Sequence, residues 1–110
     1  MEVPDKGDLV FLNFNPQSGH EQAGHRPAIV LSPQIFNQAT KFAIICPITR
    51  QAKGYPFEVE LPDGLDIGGV ILTDQIRSLD WKSRGLKIRG HASAEVVEKC
   101  IKKIHAFLPL

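Results

Sequence analysis

"LVFLNFNPQSGHEQAGHRPAIVLS", Leu9 to Ser32, is the stretch on which the fold reading turns. It begins and ends in apolar runs. Leu9–Phe14 follows Gly7-Asp8 and stops at Asn15-Pro16, while Ala28–Ser32 follows Pro27 and stops at Pro33. Short apolar runs bounded by Gly, Pro, Asn and Asp read as strands. Pro27 has no N–H to give a ladder and suits the first position of one. The twelve residues from Asn15 to Arg26 are more than a hairpin needs. Gly19 and Gly24 let this segment bend sharply and admit a ligand closely. His20, Glu21, His25 and Arg26 crowd against the second strand, and Arg26 at its mouth is held more firmly than a side chain on a loop tip. Polar loops are common, so the cluster by itself also fits a solvated turn.

Working outward, the same punctuation marks further strands at Phe42–Thr49, bent near Pro47, at Gly69–Thr73, extending toward Ile76, and at Leu86–Arg89. Phe57–Leu61 alternates, with Phe57, Val59 and Leu61 facing one way and Glu58 and Glu60 the other, as in a half-buried strand. Phe36–Gln38 reads as a short helical turn. The C-terminal segment changes period: Ser93 is an N-cap and Glu95 sits in the first turn. Val97, Cys100, Ile101, Ile104 and Leu108 then recur along one face of an amphipathic helix. Many short strands and one terminal helix predict a mainly β fold, a small curled antiparallel sheet or barrel closed by the helix. Residues 1–110 read as a single domain, with no room for a linker or a second one.

A chain of 110 residues that is 43% hydrophobic and 23% charged can bury a core without metal or disulfide support. Its net charge of +1 offers no bulk footprint for nucleic acid, so any such site must be a local patch. Cys46 and Cys100 read as small buried hydrophobes in a reducing compartment, with a disulfide between them left open. The N-terminus has no signal peptide and no apolar run approaches a membrane span, so the expected location is cytoplasmic, away from membranes.

Two segments supply local patches. "PITRQAKGYPF", Pro47–Phe57, puts Arg50 and Lys53 beside Tyr55 and Phe57. Rings that stack on bases and cations that meet phosphates make a single-stranded nucleic-acid surface. The plainer alternative is a hairpin with Phe57 in the core. "TDQIRSLDWKSRGLKIRG", Thr73–Gly90, is locally basic, with five Lys/Arg and one Asp from Arg77 to Arg89. It reads equally as a phosphate-binding surface or a solvated face. Trp81 is a stacking platform or, more commonly for a lone Trp, a core plug. No His/Cys/Asp/Glu spacing resembles a metal site and no Gly-rich loop opens a helix, so neither metal nor cofactor is expected.

Three blocks taken together, "KGDLVFLNFNPQSGHEQAGHRPAIVLS", "CPITRQAKGYPFEVEL" and "GGVILTDQIRSLDWKSRG", resemble the MazF/PemK family of toxins from bacterial toxin–antitoxin pairs. The likeness covers nearly the whole chain in the right order. It implies a small SH3-like (CcdB-like) barrel with a C-terminal helix and a homodimer that binds substrate along the subunit interface. It implies a sequence-specific, metal-independent endoribonuclease cutting single-stranded RNA, chiefly mRNA, and a cognate antitoxin whose tail covers the RNA groove.

The resemblance also assigns roles. Arg26 matches the family's central arginine; its guanidinium is a fixed cation for the crowded phosphorane. Thr49 matches the threonine whose hydroxyl meets the reacting phosphate. Glu21 matches the glutamate of the E-Q core and is the candidate base, needing burial to raise it from about 4.3. His20 stands where PemK-like members have a histidine and shares the acid or phosphate-binding role. Lys53, Tyr55 and Phe57 match the K-G-Y-P-F block and are assigned to RNA and antitoxin contact, with Arg77 and Arg84 of the basic segment. Asp74 matches an acid of PemK-like members. Those members carry an arginine two residues earlier, where this chain has Leu72, so Asp74 is placed with substrate binding or in a structural ion pair with Arg77. The rival readings are a non-catalytic gyrase poison of the same fold and a passive RNA-binding barrel.

Overall fold

The computed structural model describes residues 2–16, 19–20 and 24–109. It contains β1 (Asp8–Asn13), β2 (His25–Val30), α1 (Gln34–Thr40), β3 (Phe42–Thr49), β4 (Glu58–Glu60) and β5 (Val70–Leu72), then a 3₁₀ turn at Thr73–Gln75, β6 (Arg77–Asp80), β7 (Lys87–His91) and α2 (Ala94–Phe107). The seven strands run β4-β5-β3-β2-β1-β7, with β6 also on β3, and the sheet is open rather than closed. Every recorded pairing is antiparallel.

The central strands are apolar on both faces, and period-two alternation divides their side chains between two clusters. Leu9, Ile29, Cys46 and Ile48 point to one core, which α2 covers with Val96, Val97 and Cys100. Val10, Leu12, Ala28, Val30, Ala43 and Ile45 point to the other, with Phe14, Trp81 and Leu86. Trp81 is therefore a core plug: it is buried and its Nε1–H donates to the Asn37 carbonyl at 2.9 Å. Asn37 of α1 is itself buried and satisfied, its Nδ2 donating to the carbonyls of Pro4 (2.8 Å) and Ser32 (3.0 Å). The helical turn expected at Phe36–Gln38 is this longer α1.

β3 organises the sheet. Its first half pairs with β6 through Phe42–Asp80 to Ile45–Arg77, and its end pairs with β5 through Ile48–Ile71 and Thr49–Val70. Between them Cys46 and Pro47 pair with β2. Pro47 sits where the strand changes partners, between Ile45 paired with β6 and Ile48 paired with β5.

Three expectations need correction. The second strand begins at His25 rather than after Pro27, so His25 and Arg26 lie in β2, opposite Asn13 and Leu12 of β1. Pro27 is tolerated because the recorded β2–β3 pairing begins only at Ala28. β6 was not foreseen, because only Leu79 in its Arg-Ser-Leu-Asp sequence is buried. The buried stripe of α2 is Val96, Val97 and Cys100, with Ile104 packed alongside, while Ile101 and Leu108 are exposed. Ser93 caps the helix as expected, accepting from the Val96 N–H. Both cysteines are free and buried in the same core. No helix among the described residues is long and apolar enough to cross a membrane.

Candidate active site

Strand ends converge on one side of the sheet. Continuing the β2–β3 register two residues beyond Ala28–Pro47 sets Arg26 across from Thr49. Both line a cleft of about 460 Å³ with Phe11, His25, Arg50 and Asp66. His25 stacks on Phe11 at 6.0 Å between centroids, which holds one wall beside Arg26. Thr49 is fixed in turn: its Oγ1 accepts the Gln51 N–H at 3.1 Å, and its backbone lies against β5. That approach requires Gly69, whose φ is +118° and where a Cβ would strike the Thr49 carbonyl.

A second cleft, about 130 Å³, is lined by His20, Thr49, Lys53, Tyr55, Phe57 and Asp74 among others. Thr49 and Gln51 line both clefts, so the two meet there. The segment after β3 carries the aromatic wall. Tyr55 is half exposed, and its ring lies 5.2 Å from that of Phe57, tilted by 39°. Phe57 is only partly buried, a cleft wall rather than a core residue, and its carbonyl is gripped by the Thr73 hydroxyl. Loss of hydration holds the Asp74 carboxyl above its ordinary value; a hydrogen bond to its own backbone opposes this, and the Glu58 charge adds to it.

The sequence-assigned residues divide accordingly. Arg26, Thr49, His20, Lys53, Tyr55, Phe57 and Asp74 all line one or other of the joined clefts. Glu21, the expected base, lies outside the described residues. Arg77 and Arg84 line neither cleft. Arg84 donates through Nη1 to the carbonyls of Asn13 (3.0 Å) and Asn15 (2.8 Å), tying off the end of β1. The guanidinium of Arg77 lies 5.9 Å above the centre of the Phe14 ring. The ion pair considered for Asp74 and Arg77 does not form; the pairs recorded among the described residues are His91–Asp8 and Lys99–Glu95. Gln51 and Asp66 are wall residues that had not been assigned. Asp66 reaches the cleft through the loop between β4 and β5, and no local pattern marks it.

With this geometry in place, likeness to known proteins becomes informative. A family model described as "PemK-like, MazF-like toxin of type II toxin-antitoxin system" matches residues 5–108. The chain is 45% identical over 106 residues to the protein named endoribonuclease toxin MazF of Escherichia coli strain K12, covering 96% of this chain and 95% of that one. The crystal structure of MazF (Form-I) from Deinococcus radiodurans matches with a TM-score of 0.96 at 50% identity, over the whole of both chains. A MazE–MazF crystal structure (Form-III) from the same organism matches with a TM-score of 0.89 at 48% identity, over 99% of each chain. The family-model match over residues 5–108, the identity over nearly the full length and the shared fold agree: the chain belongs to the PemK-like, MazF-like family of toxins of type II toxin–antitoxin systems.

Proposed function

We propose that this protein is a sequence-specific, metal-independent endoribonuclease that cuts single-stranded RNA, the growth-inhibiting toxin of a type II pair acting in the cytoplasm as a homodimer. The observation that carries the reading is the junction at Thr49, where a cleft containing Arg26 meets one lined by a lysine, two aromatic rings and a histidine. The first cleft has the cation for a reacting phosphate, and the second has the rings and charge for flanking bases and backbone. The E. coli relatives named endoribonuclease and the MazE–MazF complex of D. radiodurans support the activity and a cognate antitoxin as partner.

The proposed chemistry is internal transfer. The ribose 2′-oxygen attacks the adjacent phosphorus and loses its proton to a base, for which Glu21 is the candidate. The bond from phosphorus to the 5′-oxygen breaks, and that oxygen takes up a proton, with His20 as the candidate donor. The products are a 2′,3′-cyclic phosphate and a 5′-hydroxyl. Arg26 stays positive throughout and stabilises the charge gathered on the phosphorane, while the Thr49 hydroxyl donates to a phosphate oxygen. Lys53, Tyr55, Phe57 and Asp74 orient the strand.

Incubating purified protein with long single-stranded RNA in excess EDTA and mapping the ends tests this. Discrete cuts with 5′-hydroxyl ends are expected. Intact RNA with DNA gyrase bound instead would show a gyrase poison, and tight RNA binding without cuts would show a passive barrel.

A further inference from the structure

The cleft segment after β3 is held by two side chains, Glu58 on the wall of the second cleft and Lys103 outside both. The Glu58 carboxylate reaches back from β4 and accepts two backbone N–H groups, Lys53 to Oε2 and Gly54 to Oε1, each at 3.1 Å. Its own N–H donates to the Tyr55 carbonyl at 3.1 Å, closing the turn on itself. From the other side Lys103 of α2 donates through Nζ to the Pro56 carbonyl. Gly54 has φ +77°, so the turn uses a backbone conformation that needs tying down to present Lys53 and Tyr55 in one direction. An ionised carboxylate that accepts two adjacent N–H groups makes stronger bonds than a neutral acceptor. Glu58 and Lys103 thus grip four consecutive residues of an otherwise exposed segment.

Resting on the ribonuclease reading above, we propose that Glu58 and Lys103 are positioning residues for the substrate, a two-sided clamp that fixes the Lys53–Phe57 turn and thereby sets affinity for the RNA strand. Glu58 holds the turn from the sheet and Lys103 moors it to the C-terminal helix. Loss of either clamp leaves Arg26 and Thr49 untouched, because those two stand on β2 and β3. The effect therefore falls on binding of RNA and not on the chemical step.

The test uses the full chain and has two arms. In the first, amide hydrogen exchange is read at Lys53 and Gly54 in wild type, Glu58→Ala and Glu58→Gln. Faster exchange at both amides is expected in the alanine variant, and at one of them in the glutamine variant, whose side chain keeps a single acceptor oxygen. Unchanged exchange overturns the clamp. In the second arm, an RNA oligonucleotide spanning a cut mapped on long RNA is used for kinetics. Glu58→Ala and Lys103→Met are each expected to raise KM about tenfold, the scale of one or two hydrogen bonds, with kcat close to wild type. Lys103→Arg, which keeps a donor, is expected to restore KM. A fall in kcat at unchanged KM, or no rescue by arginine, overturns the positioning role. If wild type itself leaves RNA intact, the ribonuclease reading fails, while the exchange arm still judges the clamp.

Discussion

Replacing Arg26 with alanine removes a cation that lines the first cleft together with Thr49. Loss of a preorganised charge at a developing anion typically lowers turnover by about 10²–10³-fold. Arg26→Ala is expected to fall by at least that much with its circular dichroism spectrum unchanged, since the residue is exposed at the end of β2. Cutting at the wild-type rate would remove Arg26 from the reaction. Asp74 makes a prediction about pH. Its carboxyl is held above the unfolded value of 3.8, so the folded state binds this proton more tightly than the unfolded chain does. The stability it contributes is full below that value and is lost as pH rises through the folded-state titration. Asp74→Asn is therefore expected to flatten the pH dependence of Tm over the mildly acidic range, and to leave Tm at neutral pH equal to or above wild type. At this scale the sequence was most legible where side-chain chemistry is unusual for its place: a guanidinium beside a proline at a strand entrance, or a lysine next to two rings. Asp66 escaped because its position depends on the loop between β4 and β5 folding back to the cleft, and Gln51 because it is an ordinary polar residue just past the end of β3; nothing in their immediate neighbours encodes a place in the wall.

Elements place these groups, and the junction of β3 with β5 matters most. Gly69 immediately precedes β5 with φ +118°, a conformation that residues with a side chain rarely adopt, and a side chain there would press on the Thr49 carbonyl. Gly69→Ala is expected to cost about 1–3 kcal/mol from backbone strain alone. It should also reduce cleavage, because the clash pushes on the strand end that carries Thr49. Gly68→Ala is the control for stability: its Cβ would meet only Arg50 Nη1 at 3.6 Å, an ordinary contact, so Tm should stay near wild type. Equal losses of Tm in the two variants would show that the strain is not particular to Gly69. The strands with long apolar runs were readable because burial on both faces leaves an unmistakable composition, and β3 has the expected limits of Phe42 and Thr49. β6 was not readable, because Arg77–Asp80 pairs with β3 by its backbone while three of its four side chains are polar. The start of β2 was misplaced for a related reason. His25 and Arg26 look like loop residues by type, yet their backbone is already laddered to β1.

At the scale of the whole molecule, two cores share one sheet. Leu9 and Val10, Ala28 and Ile29, and Ile45 and Cys46 are chain neighbours that point into opposite clusters. Neither cluster can be dissolved without exposing strands that the other needs, which supports the proposal of a single domain. A radius of gyration of 12.8 Å agrees with the roughly 13 Å typical of one compact domain of this length. The chain carries a natural reporter on each side: Trp81 in one cluster, and Cys46 and Cys100 in the other. Burial pushes the Cys100 thiol up to about 12 and raises Cys46 further, so both remain protonated and unreactive in the folded protein at neutral pH. Unfolding by urea followed through Trp81 fluorescence and through thiol labelling is therefore expected to give coincident midpoints, the mark of one cooperative unit. If labelling precedes the fluorescence change, the α2-covered core opens first and the single-domain reading fails. The proposed homodimer adds a second measurement on the same samples. A folded state held together by association becomes more stable at higher protein concentration, so both midpoints should rise together over a hundredfold range, whereas a monomer would show no shift.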